Sequence, residues 1–525
     1  MNQNTSGNYR RPAHGETVQF GAGRLRIENI AAIARGDAAA ALATAPEFRE
    51  RIARGAAFLD ELLREEGVIY GVTTGYGDSC TVSVPAHLVE ELPLHLSRFH
   101  GCGLGAEFSL EQGRAILAAR LGSLSQGYSG VRWELLQQLE QFLRHDIVPV
   151  IPQEGSVGAS GDLTPLSYVA AALIGERAVY FRGERRASAD VLQELGIAPL
   201  RLRPKEALAL MNGTAVMTAL ACLAFTRAEY LMRLCTRITA MVSVALQGNA
   251  SHFDEKLFSV KPHPGQNQIA AWIRGDLQHE RAPRNANRLQ DRYSVRCAPH
   301  IIGVLADSLP WLRGFIENEL NSANDNPIID GEGERVLHGG HFYGGHIAFA
   351  MDGLKTAVAN LADLLDRQMA LLMDVKFNHG LPPNLSGSGP ARATINHGFK
   401  AVQIGTSAWT AEALKLCMPA SVFSRSTECH NQDKVSMGTI AARDCVRVLE
   451  LTEQVAASVL LAATQGLELR SRQGELPADA LTPALSSMRA QVFEHFEFLE
   501  EDRPLEPTLR RVIGLIQSRQ WALYE

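Results

Sequence analysis

Three observations in the amino-acid sequence predict a mainly α protein, a long central helix bundle with a smaller N-terminal part. Stretches rich in Ala and Leu with few breakers occupy 206–250, 297–323, 344–377, 393–417 and 435–470. Such lengths suit long, nearly buried helices lying side by side. Strand-like runs are few and short, with TVQF, RLRI and AVYFRG the clearest, and these predict small peripheral hairpins. Aromatic residues make up only 6% of the chain against 46% hydrophobic residues, so the core must be mostly Leu, Ala, Val and Ile.

In chain order, residues 1–24 read as a flexible polar lead-in without the apolar segment of a signal peptide. Residues 25–205 form an N-terminal domain, 206–480 the central bundle and 481–525 a C-terminal helical segment. PEFRERIARGAAFLDELLREEG (46–67) and WELLQQLEQFLRHDIVP (133–149) place apolar residues at helical spacing. EALALMNGTAVMTALACLAF (206–225) is the most apolar stretch, but it carries Glu206, Asn212 and Thr214 and continues into Arg227, Arg233 and Arg237. A buried helix of a soluble protein explains this better than a membrane span. Its apolar girth also implies burial by other chains, hence an oligomer.

The bulk numbers exclude several function classes. Net charge is −6, with no basic block, which argues against nucleic-acid binding. The 8 cysteines form no CxxC pair, so reduced thiols in a cytoplasmic protein are expected. No P-loop and no GxSxG elbow occur. GCGLGA (101–106) follows a helical pattern rather than a strand, which disfavours a dinucleotide site. HGGHFYGGH groups His338, His341 and His346 without HExxH spacing, and no metal is expected.

Gly-, Asn- and Pro-rich loops separate the helices, and one of them, EGSVGASGDLTP (154–165), permits unusual chemistry. If the Gly161 nitrogen attacks the carbonyl two residues back, a five-membered ring closes. Loss of two waters then leaves an exocyclic methylene derived from Ser160, an electrophile that no natural side chain supplies. Gly161 lets its nitrogen approach with no side chain in the way. Taken alone, the segment reads as an ordinary loop.

The rest of the chain adds context. YGVTTGYG (70–77), GSVGASGDLTPLSYV (155–169), MNGTAVMT (211–218), KPHPGQ (261–266), YSVRCAPH (293–300), ELNSANDNP (319–327), HGGHFYG (338–344), GLPPNL (380–385), NQDKVSMGT (431–439) and DRPL (502–505) follow one another in one order. Together, over about residues 25–510, they resemble the aromatic amino-acid ammonia-lyase family, which includes histidine, phenylalanine and tyrosine ammonia-lyases and related aminomutases.

That resemblance implies a fumarase/aspartase-like fold, a small-molecule aromatic amino acid as the partner, and a homotetramer in which loops of three chains meet at each site. It implies that Ala159, Ser160 and Gly161 cyclise to 4-methylideneimidazole-5-one (MIO), with no external cofactor. Tyr70 matches the catalytic tyrosine, Tyr293 a second active-site tyrosine, and Asn212 the residue that contacts the MIO carbonyl. Arg296 matches the clamp for the substrate carboxylate, where a guanidinium offers two N–H groups to two oxygens. Asn326, Phe342, Asn431 and Gln432 match pocket or MIO-supporting positions. For the ring-selectivity pair, counting back from Gly101 gives Ser97-Arg98, and a two-residue shift gives His95-Leu96.

The chain departs from the family pattern at His300, where Gln is common, and at His341, where Asn is usual. It also lacks the Glu that histidine enzymes carry in the segment matching 431–433, which here reads Asn-Gln-Asp. This pattern, with a polar selectivity pair, favours L-tyrosine and its product 4-coumarate. Histidine, phenylalanine, an aromatic 2,3-aminomutase and a non-catalytic helical scaffold remain as alternatives.

Overall fold

A computed structural model describes residues 15–65, 67–277, 289–477 and 480–524. Long helices dominate. They run Ala215–Ala245, Ala298–Leu320, Gly345–Met373 and Gly438–Arg472, with Lys400–Lys415 the shorter fifth. These coincide with the five apolar stretches, Gly438–Arg472 running two residues past the last of them. The first is broken at Asn212-Gly213-Thr214, which separates a short helix, Glu206–Met211, from Ala215–Ala245. The two helices predicted earlier in the chain are Pro46–Arg64 and Trp133–Arg144.

The chain divides into two compact units, each built from separated segments. Unit 1 takes residues 1–226, 313–352 and 419–443, and unit 2 takes 227–312, 353–418 and 444–525. Each of the four longest helices contributes residues to both units.

All the named strands belong to unit 1 and form small sheets. Ala178–Phe181 and Glu184–Ala187 make the expected hairpin. Thr17–Phe20 is a strand too, but it pairs in parallel with Ala39–Leu42, from Thr17↔Ala39 to Phe20↔Leu42. Phe20 is fully buried there, so the lead-in expected over 1–24 ends before Thr17; residues 1–14 lie outside the described residues. RLRI (24–27) is not a strand: buried Ile27 instead opens the helix Ile27–Arg35. Its alternation misleads because Leu25 and Ile27 are both buried on the way into that helix.

The core of unit 1 contains charges as well as hydrocarbon. Arg120 is fully buried on the helix Leu110–Leu124 and donates to the carbonyls of Asn324 (3.2 Å) and Ala209. Burial pulls its pKa down to about 10. Lys205 Nζ meets Asp325 Oδ2 at 2.6 Å with both side chains fully buried, and desolvation lowers the lysine. This cluster fixes the 324–326 loop against the break at 212–214, and both segments border the cavity described below.

Substituting one partner of such a pair strands the other in a medium of low polarity. Lys205→Met should therefore lower unfolding stability by about 3–5 kcal/mol, read as a lower chemical-denaturation midpoint. An unchanged midpoint would show that the pair is energetically idle.

Candidate active site

The segment 156–162 is a tight turn leading into the helix Leu163–Leu173. Ser160 sits in the left-handed region at φ 53°, an uncommon conformation for a residue with a side chain. Gly161 follows at φ 77°, and a Cβ there would collide with the Gly213 carbonyl. Close approach of the two backbones thus demands glycine at 161 for a reason beyond turning the chain.

Asp162 holds this approach in place. Its N–H donates to Gly213 O at 2.8 Å. Its carboxylate accepts from Val216 N (3.1 Å) and Met217 N (3.0 Å), the free amides at the start of Ala215–Ala245. Ser156 Oγ at 3.0 Å and Thr439 Oγ1 complete the set. Burial raises the Asp162 carboxyl, and these four donors pull it back toward the charged form.

Two side-chain amides converge on Ser160. Asn212 Nδ2 donates to Ser160 O at 2.8 Å, and Gln432 Nε2 donates to Ser160 Oγ at 3.2 Å. Thr427 Oγ1 donates to Gln432 Oε1 at 3.0 Å, which turns the NH₂ end of Gln432 toward the serine. Asn212 Oδ1 is buried with no partner among the described residues, so this side chain is placed for its donor contact at the expense of its acceptor.

Ala159 and Ser160 face a cavity of about 730 Å³, lined wholly by unit 1. Tyr70, Asn212, Asn326, Phe342, Asn431 and Gln432 all border it. Tyr70 Oη accepts from Gly77 N at 2.7 Å. Burial raises the Tyr70 pKa, the Gly77 N–H lowers it, and the Glu428 carboxylate raises it again, for a net upward shift. Tyr76 is more deeply buried and is pushed far higher by desolvation, so Tyr70 is the more readily ionised of the two. Asn326 Oδ1 accepts from Gly339 N at 2.9 Å and fixes the loop that carries His338 and Phe342.

The structure does not bring every predicted residue to this cavity. Ser97 is buried and donates to Leu94 O at 2.9 Å, and Arg98 pairs on the surface with Glu176 at 2.6 Å. His95 is exposed and does not line the cavity. On the helix Leu92–Phe99 it is Leu96, together with Phe99 and the next residue His100, that forms the wall. Of the two candidate pairs only Leu96, from the shifted count, reaches the wall, because helical rotation decides which positions of a short run face inward. Tyr293 and Arg296 lie in unit 2, on the short helix Tyr293–Arg296. Tyr293 is 72% exposed, and Arg296 bonds Asp291 O (3.0 Å) and Gln290 Oε1 (3.1 Å) with its guanidinium over the Tyr293 ring.

Sequence reasoning missed His100 and Glu428. Glu428 lines the cavity, and both of its oxygens lie within 3.0 Å of Asp78 N. The absence of Glu from 431–433 therefore does not deprive the cavity of a carboxylate: the backbone turns through Glu428, Cys429 and His430, all at positive φ, and delivers one from just upstream. An acidic residue so close to NQD was the available signal. Among the described residues, no group of three His, Cys, Asp or Glu side chains could hold a metal ion. His341 is exposed, and His346 packs edge-on against Phe315.

Comparison with known proteins agrees on one group. A family model described as aromatic amino acid lyase matches residues 25–493. The histidine ammonia-lyase of Gloeobacter violaceus is 37% identical over 495 residues, covering 94% of each chain. The solved histidine ammonia-lyase of Trypanosoma cruzi superposes with a TM-score of 0.87 at 32% identity, covering 96% of this chain and 94% of that one. The tyrosine aminomutase of Streptomyces globisporus superposes with a TM-score of 0.88 at 34% identity, covering 96% and 97%.

Asp162→Ala would leave the Val216 and Met217 amides buried without an acceptor. The variant should lose about 2–4 kcal/mol of stability, measured by denaturant titration. A loss below about 0.5 kcal/mol, the usual range of a surface change, would contradict the role given to this carboxylate.

Proposed function

The chain belongs to the aromatic amino acid lyase family, and on that premise we propose that it eliminates ammonia from an aromatic L-amino acid with a polar ring, L-histidine giving urocanate first. It is a carbon–nitrogen lyase. The reading rests above all on the two amides of Asn212 and Gln432 converging on Ser160 at the cavity wall.

The residues present suit a self-formed MIO group. Gly161 has no side chain to obstruct its nitrogen, Ser160 is held in a left-handed turn, and Asn212 already donates to Ser160 O, the carbonyl that the ring would retain. Gln432 donates to the hydroxyl that must leave, which makes it a better leaving group. When formed, the group supplies an electrophilic carbon for the substrate amine. Tyr70 takes the β-proton at Oη, and the Gly77 N–H stabilises the phenolate that must exist for this step. The substrate's ammonium group opposes the burial and the Glu428 charge that otherwise hold Tyr70 protonated.

Histidine takes precedence over tyrosine on two grounds. Relatives such as the Gloeobacter enzyme are histidine ammonia-lyases, and the argument from a missing carboxylate lapses with Glu428 on the cavity. Tyrosine giving 4-coumarate is the second reading, favoured by Asn431-Gln432-Asp433 and by the likeness to a tyrosine aminomutase. A cytoplasmic homotetramer belongs to the proposal, with Tyr293 and Arg296 offered to the cavity of a neighbouring chain; the exposure of Tyr293 supports this.

Proteolysis should release a peptide containing Ser160 that is lighter by two waters, whereas Ser160→Ala should give the unmodified mass and no turnover. An unmodified wild-type peptide would end the MIO reading. Ultraviolet spectra after incubation with histidine, tyrosine and phenylalanine separately should show urocanate before 4-coumarate or cinnamate, and a β-amino acid product would instead indicate an aminomutase.

The activity should rise with pH as Tyr70 loses its proton. Glu428→Gln removes an anionic neighbour and lowers the Tyr70 pKa, so the rising limb of kcat/KM should move to lower pH. A limb that stays put or moves upward would contradict the coupling.

A further inference from the structure

His100 is not among the ring-selectivity positions expected from sequence. His100 follows the helix Leu92–Phe99 and borders the cavity. Its Nδ1 lies 3.0 Å from Leu96 O, a group that can only accept. Nδ1 therefore carries the proton, and in the neutral ring Nε2 holds a lone pair. Burial is the largest influence and favours the neutral form; the Leu96 contact opposes it, and the Arg177 cation adds a lesser push in the same direction as burial. Nδ1 is turned back onto the preceding helix, so the opposite ring edge, with Nε2, points away from it. No group among the described residues bonds Nε2.

The backbone that carries the imidazole is packed against neighbouring groups. Ser167 Oγ has Thr164 O at 2.7 Å as its nearer acceptor and His100 O at 3.2 Å as the farther one. Arg177 donates to Ser167 Oγ at 3.0 Å and to Ser97 O, bracing the end of the helix. The Phe99 ring lies 4.3 Å from the His100 ring, centroid to centroid. A neutral acceptor fixed in a partly apolar wall beside Leu96 and Phe99 suits an aromatic ring that bears one hydrogen-bond donor.

We propose that His100 is the specificity-determining residue of this cavity, its Nε2 accepting a hydrogen bond from a donor on the substrate ring, either the N–H of an imidazole or the O–H of a phenol. This rests on the ammonia-lyase reading and deepens it. A phenyl ring offers no donor and leaves Nε2 unpaired, which is the stronger basis for rejection. His100 touches the ring and takes no part in bond breaking.

The test compares wild type with His100→Phe and His100→Gln. His100→Phe should lower the kcat/KM ratio of histidine or tyrosine over phenylalanine by about 10- to 100-fold. His100→Gln, whose Oε1 can still accept, should keep most of that ratio. Histidine and tyrosine assayed separately distinguish the imidazole donor from the phenol. Calorimetric titration in a Ser160→Ala background reads recognition without turnover: urocanate or 4-coumarate should bind more weakly to His100→Phe, and cinnamate should not. Equal loss for donor-bearing and phenyl ligands, or no change in either ratio, would overturn the proposal. Failure of the ammonia-lyase reading would look different, as a wild-type protein that forms no product from any of the three amino acids.

Discussion

The Asp162 carboxylate, fully buried, joins three segments far apart in the chain. It closes the 156–162 turn through Ser156, caps the helix Ala215–Ala245 through Val216 and Met217, and receives Thr439 at the start of Gly438–Arg472. A carboxylate at a helix N-terminus gains from the aligned peptide dipoles as well as from its hydrogen bonds. Its backbone N–H simultaneously draws Gly213 O against Gly161. Without this junction, neither the left-handed Ser160 nor the position of Asn212 would be determined, since both lie one or two residues from it.

The cavity then follows from what those segments carry. The helix break at 212–214 puts Asn212 beside Ser160 O, while the turn before Gly438 puts Gln432 beside Ser160 Oγ. Opposite them, Gly77 and Glu428 act on Tyr70 with opposite sign. A donated N–H stabilises a phenolate and a nearby carboxylate opposes it. The buried pair Lys205–Asp325, with Arg120 close by, secures the loop that holds Asn326. Buried charges of this kind are costly, and they are retained here where they fix the geometry of two cavity-lining segments.

Much of the helical architecture was legible because long runs of Ala and Leu have few other stable outcomes. The short elements were less so. RLRI alternates like a strand, yet Ile27 enters a helix, and TVQF finds a parallel partner rather than a hairpin. Strand pairing depends on what lies alongside, which a four-residue pattern does not encode. In the site, Tyr70, Asn212, Asn326, Phe342, Asn431 and Gln432 were nameable from motifs, and all six border one cavity. Ser97 and Arg98 were named from the same kind of reasoning and face elsewhere.

By itself, the sequence determined the fold class, the family and the tripeptide Ala159-Ser160-Gly161, because periodicity and motif order survive without coordinates. Only the tertiary structure decided which side chains meet. It assigned Gly161 to a backbone contact with Gly213, kept only Leu96 of the two candidate selectivity pairs on the cavity wall and added Phe99 and His100, and brought Glu428 to the cavity through a left-handed turn. The reason is geometric. Helical rotation and backbone reversals set the direction of a side chain, and both depend on packing between segments that the linear order leaves far apart.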